Sequence, residues 1–575
     1  MTLQGAKGGT RVPGHRTLLA GGAAAVLAIC LGACSLPGGD PPSRTTSTGT
    51  GSDLSVTTMN PPREGRDWIV LVEDPTDTTR VAEDLEAADL ELTSINPAVG
   101  MVTLRSTADD VAETATGIDG VAHAVTDQSI GWSPDEPAEP TGGDQTPVQD
   151  PLQPPAPPAG GDPFDGWLWG LAEIEATQAH EVTTGRRDVR VGVIDTGVDA
   201  SHPDLADAYD HERSRTFVAD IPALDGECEH KSCVDPVGTD GAGHGTHVAG
   251  TIAAAANGLG VRGVAPDVSI VDLRAGQDSG FFFLGPTVNA LTQAADERLD
   301  VVNMSFYVDP WLYACPGGAP EDSPEQAQAQ DVALELVHRA VELAHDRGVT
   351  LVTAVGNSGL DLADPGMDST SPNFGADPHD RTIDAKTCEI LPVDSPHVIG
   401  VASVDEGQTR SSFSNWTSDP SSDDVTVAAP GGSESDGTFG ILSTAPRVEL
   451  VTKGLVNTVG QVTVSGSRTG VVRDCPKGVA PGAKDPDEVC GYYQWLQGTS
   501  MATPYVSGVA ALILSEHPDL GPDEVAAKLR SSAEDVACPD AGEGGADGDG
   551  PVCTGTTQRN GFFGDGIVDA AAAVR

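Results

Sequence analysis

The stretch VGVIDTGVD at residues 191–199 places an aspartate, Asp195, directly after a run of mostly β-branched residues. Such a run predicts a strand that is buried on both faces. Similar runs, separated by segments with helical spacing, recur at 268–273, 301–304, 349–355, 398–401 and 425–428. Buried strands alternating with helices predict an α/β fold with a mainly parallel sheet. Ligands of such sheets gather at the carboxyl ends of the strands, so Asp195 is a candidate functional residue.

Two further motifs hold a histidine and a serine among small residues. HGTHVAG begins with His244, and GTSMATP contains Ser500 before an apolar helix, with Pro504 expected in the first turn of that helix. An aspartate that orients, a histidine that moves protons and a serine that attacks form an acyl-transfer constellation. Two alternatives remain: Ser500 as a helix N-cap, and the two histidines of HxxH as metal ligands, although the glutamate of HExxH is missing.

The order Asp195, His244, Ser500, with the residues around them, resembles the subtilisin-like serine proteases, peptidase family S8. This resemblance implies a three-layer fold and a serine endopeptidase that hydrolyses peptide bonds through an acyl-enzyme. His244 would then be the base, Asp195 would hold its tautomer, and His247 would be structural. Asn357 would supply the side-chain amide of the oxyanion hole. An asparagine in a turn before Ser-Gly is the alternative.

The same resemblance implies a set of substrate contacts. They are Ser305, Phe306, Ala354, Val355 and Gly356. Where the family has a glycine after the first segment, this chain has Tyr307, so no preference for the residue before the scissile bond is assigned. The run Phe281–Phe283 is either an apolar subsite or core.

The chemistry is expected to require no cofactor, but the resemblance implies a structural calcium site. Its candidate ligands are Asp204, Asn257, Leu259 and Val261. Oxygen ligands suit Ca²⁺. The alternative is that Asp204 caps a turn.

Residues 1–33 have the features of a lipoprotein signal peptide. Arg11 and Arg16 precede an apolar run, 18–31, that is short for a transmembrane helix. The run ends in Leu-Gly-Ala-Cys, which resembles the lipobox of bacterial lipoproteins and implies a lipid on Cys34 that attaches the chain to a bilayer. An ordinary signal peptide is the alternative.

Four segments are predicted after the signal peptide. Residues 34–66 form a flexible tether, 67–132 a ferredoxin-like α+β domain with βαββαβ order, 133–163 a Pro-rich acidic linker, and 164–575 the catalytic domain. The position of 67–132 resembles that of the I9-like pro-domain of this family, which implies an intramolecular inhibitor. An independent binding domain is the alternative.

Charge and cysteine content bound the partners and the compartment. The net charge of −54 argues against nucleic acid, because phosphate binding needs a basic face. Once Cys30 and Cys34 are set aside, eight of the ten cysteines remain, which predicts disulfides in an exported chain. We expect sequence neighbours to pair: Cys228–Cys233, Cys315–Cys388, Cys475–Cys490 and Cys538–Cys553. A zinc site is the alternative, but no CxxC motif supports it.

Together these features predict a secreted or cell-surface serine endopeptidase, made as a zymogen, that acts on proteins or peptides. The alternative is a catalytically silent binding scaffold at the cell surface. Since Cys34 lies before the 133–163 linker, cleavage there would cut the covalent tether of the catalytic domain.

Overall fold

The computed structural model describes residues 56–58, 65–127, 129–132, 161–222, 224–228, 230–306, 310–373, 378–433, 440–477, 489–539 and 551–575. The predicted signal peptide, Cys34, Tyr307, and most of the predicted tether and linker lie outside these residues. No helix within the described ranges is long and apolar enough to cross a membrane.

The N-terminal unit is a five-stranded antiparallel sheet with two helices and strand order β1-β3-β4-β2-β5. Its elements are β1 (Thr57–Thr58), β2 (Arg66–Val72), α1 (Thr78–Ala87), β3 (Glu91–Asn96), β4 (Met101–Ser106), α2 (Val111–Thr116) and β5 (Val121–Thr126). From β2 onward the predicted βαββαβ order is present. The boundary of the tether needs a correction, because β1 lies inside residues 34–66 and pairs with the edge of β3.

Both faces of this sheet are buried, and strand periodicity assigns each residue to one of them. In β2, Trp68 and Val70 pack with Val81 and Leu85 of α1. The intervening Ile69 belongs instead to a core shared with the rest of the chain. One face is therefore covered by the unit's own helices, and the other by the following domain.

The second domain is built on seven parallel strands in the order β16-β15-β12-β11-β7-β9-β8. The strands of this part of the chain are β6 (Ser129–Trp132), β7 (Arg190–Ile194), β8 (Arg215–Thr216), β9 (Ser269–Arg274), β10 (Phe281–Phe283), β11 (Val301–Met304), β12 (Thr350–Ala354), β13 (Met367–Asp368), β14 (Arg381–Thr382), β15 (Val398–Val404), β16 (Val427–Pro430), β17 (Ile441–Thr444), β18 (Val472–Asp474) and β19 (Gly491–Leu496). The helices are α3 (Trp169–Glu173), α4 (Ala176–Ala179), α5 (His244–Ala253), α6 (Leu284–Glu297), α7 (Pro324–Asp346), α8 (Arg447–Thr452), α9 (Val464–Arg468), α10 (Thr499–Glu516), α11 (Pro522–Ser532) and α12 (Ala570–Ala573).

Helices cover both faces of the parallel sheet, which confirms the predicted three-layer α/β fold. Alternate strand residues serve the two layers: Val301 packs on the side of α5 and α10, whereas Val302 packs with α6 and α7. Every residue of α10 from Thr499 to Ser515 is buried. A helix that is apolar all round lies in the core of its domain, and this one carries Ser500.

The four predicted disulfides are all present: Cys228–Cys233, Cys315–Cys388, Cys475–Cys490 and Cys538–Cys553. The expectation that sequence neighbours pair is confirmed for every one of them.

Candidate active site

The carboxyl ends of three neighbouring strands form the base of the site. In the register of the sheet, Asn303 of β11 lies beside Val193 of β7 and Val352 of β12. Because the strands are parallel, the segments that follow them emerge at one edge. Asp195 directly follows β7, and Asn357 lies three residues beyond β12.

Asp195 and His244 form a buried pair at this edge. Their Oδ1 and Nδ1 atoms are 2.8 Å apart, and the two side chains are 0% and 6% exposed. A neutral imidazole that donates from Nδ1 carries its lone pair on Nε2, the nitrogen that a general base needs. Gly245 permits the approach, because a Cβ there would lie 2.2 Å from the Gly197 carbonyl oxygen.

Asp240, which was not predicted, holds the start of α5 in place. Its Oδ1 accepts hydrogen bonds from Thr196 Oγ1 at 3.0 Å and Gly243 N at 2.8 Å. Its Oδ2 accepts from Thr246 N and Oγ1 at 2.9 and 2.6 Å. Complete burial raises the pKa of this carboxyl. The available signal was an aspartate four residues before a helix that begins with glycine, since aspartate favours helix N-termini.

His247 points away from Asp195 and into the core. Its Nε2 lies 3.0 Å from Ile441 O and 3.2 Å from Gln494 O. Burial lowers its pKa to about 3. A neutral ring donating to carbonyls supports the structural role and not the alternative of an HxxH metal pair.

Ser500 is the second residue of α10, and Gly498 is the N-cap. The alternative that Ser500 is an ordinary N-cap is therefore wrong. The Ser500 N–H belongs to the first turn, where helix N–H groups have no intrahelical acceptor and the helix dipole favours negative charge. Its Oγ donates to Ser305 O at 3.1 Å.

Pro504 does not lie in the first turn, as the sequence suggested, but one turn further into α10. Proline has no N–H, so the carbonyl four residues earlier, that of Ser500, receives no intrahelical bond. Ser305 Oγ donates to this carbonyl at 2.9 Å. The proline thus frees an acceptor that ties α10 to the end of β11.

The side-chain amide of Asn357 is oriented by Thr499. Asn357 Oδ1 accepts hydrogen bonds from Thr499 N and from Thr499 Oγ1, both at 2.8 Å. Because a backbone N–H can only donate, the oxygen of the amide must face Thr499. The NH₂ group is consequently the end of the amide that remains for an oxyanion.

Asn415 holds the loop that carries Asn357. It donates to Val355 O at 2.8 Å and accepts from Ser358 N at 3.1 Å and Leu360 N at 3.0 Å. Gly356 adopts φ 102°, and a Cβ there would lie 2.6 Å from Asn415 Nδ2. No motif in the sequence identified this residue, because its partners lie more than fifty positions away.

The family model described as the subtilase family, Peptidase_S8, matches residues 186–550. The chain belongs to the subtilase family. Subtilisin DY of Bacillus licheniformis is 30% identical over 368 residues, which cover 64% of this chain and 92% of that protein. Subtilisin E of Bacillus subtilis is 29% identical over 365 residues, which cover 64% of this chain and 65% of that protein.

Solved structures show the same fold. The epidermin leader peptide processing serine protease of Staphylococcus aureus matches with a TM-score of 0.57 and 19% identity, covering 89% of this subtilase and 98% of that chain. Fervidolysin from Fervidobacterium pennivorans, a keratinolytic enzyme related to subtilisin, matches with a TM-score of 0.53 and 23% identity, covering 89% and 61%.

The substrate-contact residues implied by the resemblance lie together beside Ser500. They follow the adjacent strands β11 and β12, and all but Gly356 are known to be buried side chains: Ser305, Phe306, Ala354 and Val355. Their backbones are therefore the groups that a peptide could reach. Phe306 stacks on Phe282 with ring centroids 4.4 Å apart, so the central residue of the Phe281–Phe283 run is core.

The candidate calcium ligands of this subtilase also come together. Asp204 is fully buried; its Oδ1 accepts from Asn257 Nδ2 at 3.1 Å, and its Oδ2 from Tyr493 OH at 2.8 Å and Val261 N at 3.4 Å. Leu259 N donates to Asn257 Oδ1 at 2.9 Å. Burial raises the pKa of Asp204 to about 7.

A second carboxylate, not predicted, approaches the same loop. Asp162 Oδ1 accepts from Gly258 N, whereas its buried Oδ2 has no hydrogen-bond partner among the described residues. Burial raises the pKa of Asp162 to about 6, and the nearby charge of Asp474 adds to the shift. Buried, under-compensated carboxylates and a nearby amide are a donor set that fits a hard cation.

Loss of the Thr499 hydroxyl is expected to weaken the orientation of Asn357. Thr499→Val removes one of two hydrogen bonds to Asn357 Oδ1 and leaves the backbone bond. A net hydrogen bond is worth about 0.5–1.5 kcal/mol, so we expect kcat to fall roughly 2- to 12-fold with KM little changed. Thr499→Ser keeps the hydroxyl and should restore kcat in steady-state assays on a peptide substrate. Equal losses in both variants would assign Thr499 a packing role only.

Proposed function

We propose that this subtilase is a serine endopeptidase acting through an acyl-enzyme. The observation that carries the proposal is the convergence of the Asp195–His244 pair, Ser500 in the first turn of α10, and the amide of Asn357 at one edge of the sheet. A binding scaffold would have no need of this combination.

In the proposed reaction, Ser500 Oγ turns from the Ser305 carbonyl and attacks the scissile carbonyl carbon while His244 Nε2 takes its proton. The carbonyl electron pair moves to oxygen, which accepts hydrogen bonds from Ser500 N–H and Asn357 Nδ2. His244 then gives its proton to the leaving amine as the C–N bond breaks. A water molecule repeats these steps on the acyl-enzyme, and Asp195 stabilises the imidazolium throughout.

Active-site labelling tests this proposal. The purified wild-type chain should react with a fluorophosphonate, and mass spectrometry should locate the adduct on Ser500. It should also cleave a denatured protein. If the wild type and Ser500→Ala are equally unlabelled and equally unable to cleave, the scaffold alternative is correct.

We further propose that residues 67–132 are the intramolecular inhibitor of a zymogen. Support comes from their docking on α6 and α7. Asn96 Nδ2 donates to Asn289 Oδ1 at 3.0 Å and to Thr292 Oγ1 at 2.9 Å. Arg339 of α7 donates to Val99 O at 2.9 Å. Ile69 adds apolar contact to the shared core.

The chain after this unit runs toward the proposed catalytic centre. β6 pairs antiparallel with β10, with Trp132 opposite Phe281 and Ser129 opposite Phe283. The residue stacked on Phe306 of the proposed substrate segment, Phe282, belongs to the same short strand. Strand addition is a common way to bind an extended peptide, so β6 would occupy a substrate's place until the linker is cut.

Self-cleavage in the 133–163 linker, or just after it, should release the catalytic domain from a lipid on Cys34. In the wild type, we expect mass spectrometry to find a new N-terminus between Trp132 and the start of α3, and cell fractionation to find the catalytic domain partly in the medium. Ser500→Ala should remain full-length and membrane-bound. Equal membrane retention of both proteins would contradict the proposed release, and a soluble Cys34→Ser/Ser500→Ala variant would support the lipid anchor.

We propose that Ca²⁺ is held by Asp204, Asn257 and the loop carbonyls of Leu259 and Val261, and that it only stabilises the fold. In a Ser500→Ala background stripped with chelator, Ca²⁺ at about 100 times Kd should add roughly 2.7 kcal/mol, a rise of several degrees in Tm. Asp204→Asn should lose this response, whereas Asp89→Asn, at an exposed position of the N-terminal unit, should keep it. A Tm independent of Ca²⁺ would reject the site.

A further inference from the structure

We infer that His345, His397 and Asp523 form a binding site for a divalent transition metal, with Zn²⁺ as the representative ion. The three residues come from separate elements: the last turn of α7, the residue before β15, and the first turn of α11. This edge of the sheet holds the amino ends of β12 and β15. It is opposite the carboxyl ends where the candidate active site lies.

The three ligand atoms already have nearly the spacing of a metal site. Asp523 Oδ1 is 3.1 Å from His345 Nε2 and 3.8 Å from His397 Nδ1, and all the ligand atoms lie within 4.8 Å of one another. Zinc–ligand distances of 2.0–2.2 Å in a tetrahedron place ligand atoms about 3.3 Å apart. Small side-chain rotations would therefore suffice to bind the ion.

The residue types select the class of ion. Two imidazoles and one carboxylate suit Zn²⁺ and similar transition metals, whereas Ca²⁺ and Mg²⁺ take oxygen ligands. The side chain of Asp523 is 77% exposed and that of His397 is 37% exposed. Three protein ligands that face solvent leave the fourth position of a tetrahedral ion to water.

Helix-end electrostatics account for only part of this cluster. His345 near the end of α7 and Asp523 near the start of α11 each lie where the helix dipole favours their charge. That effect gives no reason for His397, whose ring stacks on His345 at a centroid distance of 3.7 Å. His397 also adopts φ 65°, a backbone conformation that is uncommon outside glycine. A shared metal ion would explain why both imidazoles face one carboxylate oxygen.

An acidic cavity adjoins the cluster and gives a cation a route to it. The cavity has a volume of about 480 Å³ and is lined by His397 and Asp523 together with Asp394, Asp423 and Asp424. Arg530 also lines it and is paired with Asp423 at 2.7 Å. The excess of carboxylates raises the local concentration of cations at the mouth of the site.

Zinc titration of the full chain tests the site without reference to peptidase activity. After chelator treatment, the Ser500→Ala protein should bind Zn²⁺ saturably in isothermal titration calorimetry, with one site assigned to this cluster. We expect His345→Gln and His397→Asn each to weaken that affinity at least about tenfold, since even indirect partners of metal ligands contribute 10- to 100-fold. Asparagine is chosen at position 397 because it tolerates positive φ.

Two controls separate this site from other histidines. His338→Gln changes a histidine of the same helix, which pairs with Glu389 at 2.6 Å, and should leave the affinity unchanged. His244→Ala should also leave it unchanged. Zinc binding that survives in His345→Gln/His397→Asn but disappears with His244→Ala would overturn the inference.

Thermal unfolding gives a second readout if one variant fails to fold. Zn²⁺ should raise the Tm of Ser500→Ala, because the ion would join α7, α11 and the start of β15. The rise should be absent in any folded variant of the cluster, including Asp523→Asn. An equal rise in Ser500→Ala and Asp523→Asn would contradict the site.

Discussion

Replacement of Ser500 by alanine is expected to lower kcat/KM for a denatured protein by about 10⁴- to 10⁶-fold, a range known from triad variants of subtilisin itself. The substitution removes the only atom that can form the acyl-enzyme in the proposed mechanism. It leaves the backbone N–H of residue 500 and the Asn357 amide in place, so a residual rate above that of water alone is expected. Initial rates on a quenched peptide and on denatured casein measure the effect.

Ser507→Ala is the matched control for this substitution. Ser507 lies seven residues later in α10, is fully buried, and donates to Asn303 Oδ1 at 2.9 Å. Its replacement should lower the unfolding free energy, since a buried acceptor loses its donor, but leave kcat/KM of the folded protein unchanged. Similar activity losses in both variants would indicate damage to α10 instead of removal of a nucleophile.

Replacement of Asn357 by leucine is expected to lower kcat by about 10²- to 10³-fold with a small change in KM, the range known for the oxyanion-hole asparagine of subtilisin itself. Leucine has a similar size but no N–H donor. An oxyanion donor acts on charge that exists only in the transition state, so its loss appears in kcat. Steady-state kinetics on a short peptide substrate separate the two constants.

Ser358→Ala tests the same loop without touching the amide. The backbone N–H of Ser358, which donates to Asn415, survives this change, so kcat should stay within a few-fold of wild type. The Tm of Asn357→Leu must also be measured, because Thr499 N and Oγ1 lose their acceptor. A KM increase as large as the kcat loss would contradict the oxyanion role.

Local patterns predicted much of the fold. Near-continuous apolar runs predicted the parallel strands because a strand covered on both faces has no polar side. Alternation and helical spacing predicted the βαββαβ order of residues 67–132. The disulfides followed from sequence proximity, since short loops bring neighbouring cysteines together at low entropic cost.

Other features depended on contacts between distant segments. Thr57–Thr58 form a strand only because the edge of β3 is available to pair with them. Pro504 was placed one turn too early, since the start of α10 is set by Gly498 and by its contact with Asn357. The zinc cluster joins residues 345, 397 and 523, which no local motif relates.

The sequence by itself determined which residue types meet at the candidate active site, because Asp195, His244, Ser500 and Asn357 each lie in a recognisable motif at a strand end or helix start. Only the tertiary structure decided how those groups are oriented. Asp240 holds the start of α5, Thr499 turns the amide of Asn357, and Ser305 accepts from and donates to Ser500. The physical reason is that a motif records local backbone geometry, whereas the orientation of a buried polar group depends on hydrogen-bond partners that the fold brings from distant parts of the chain.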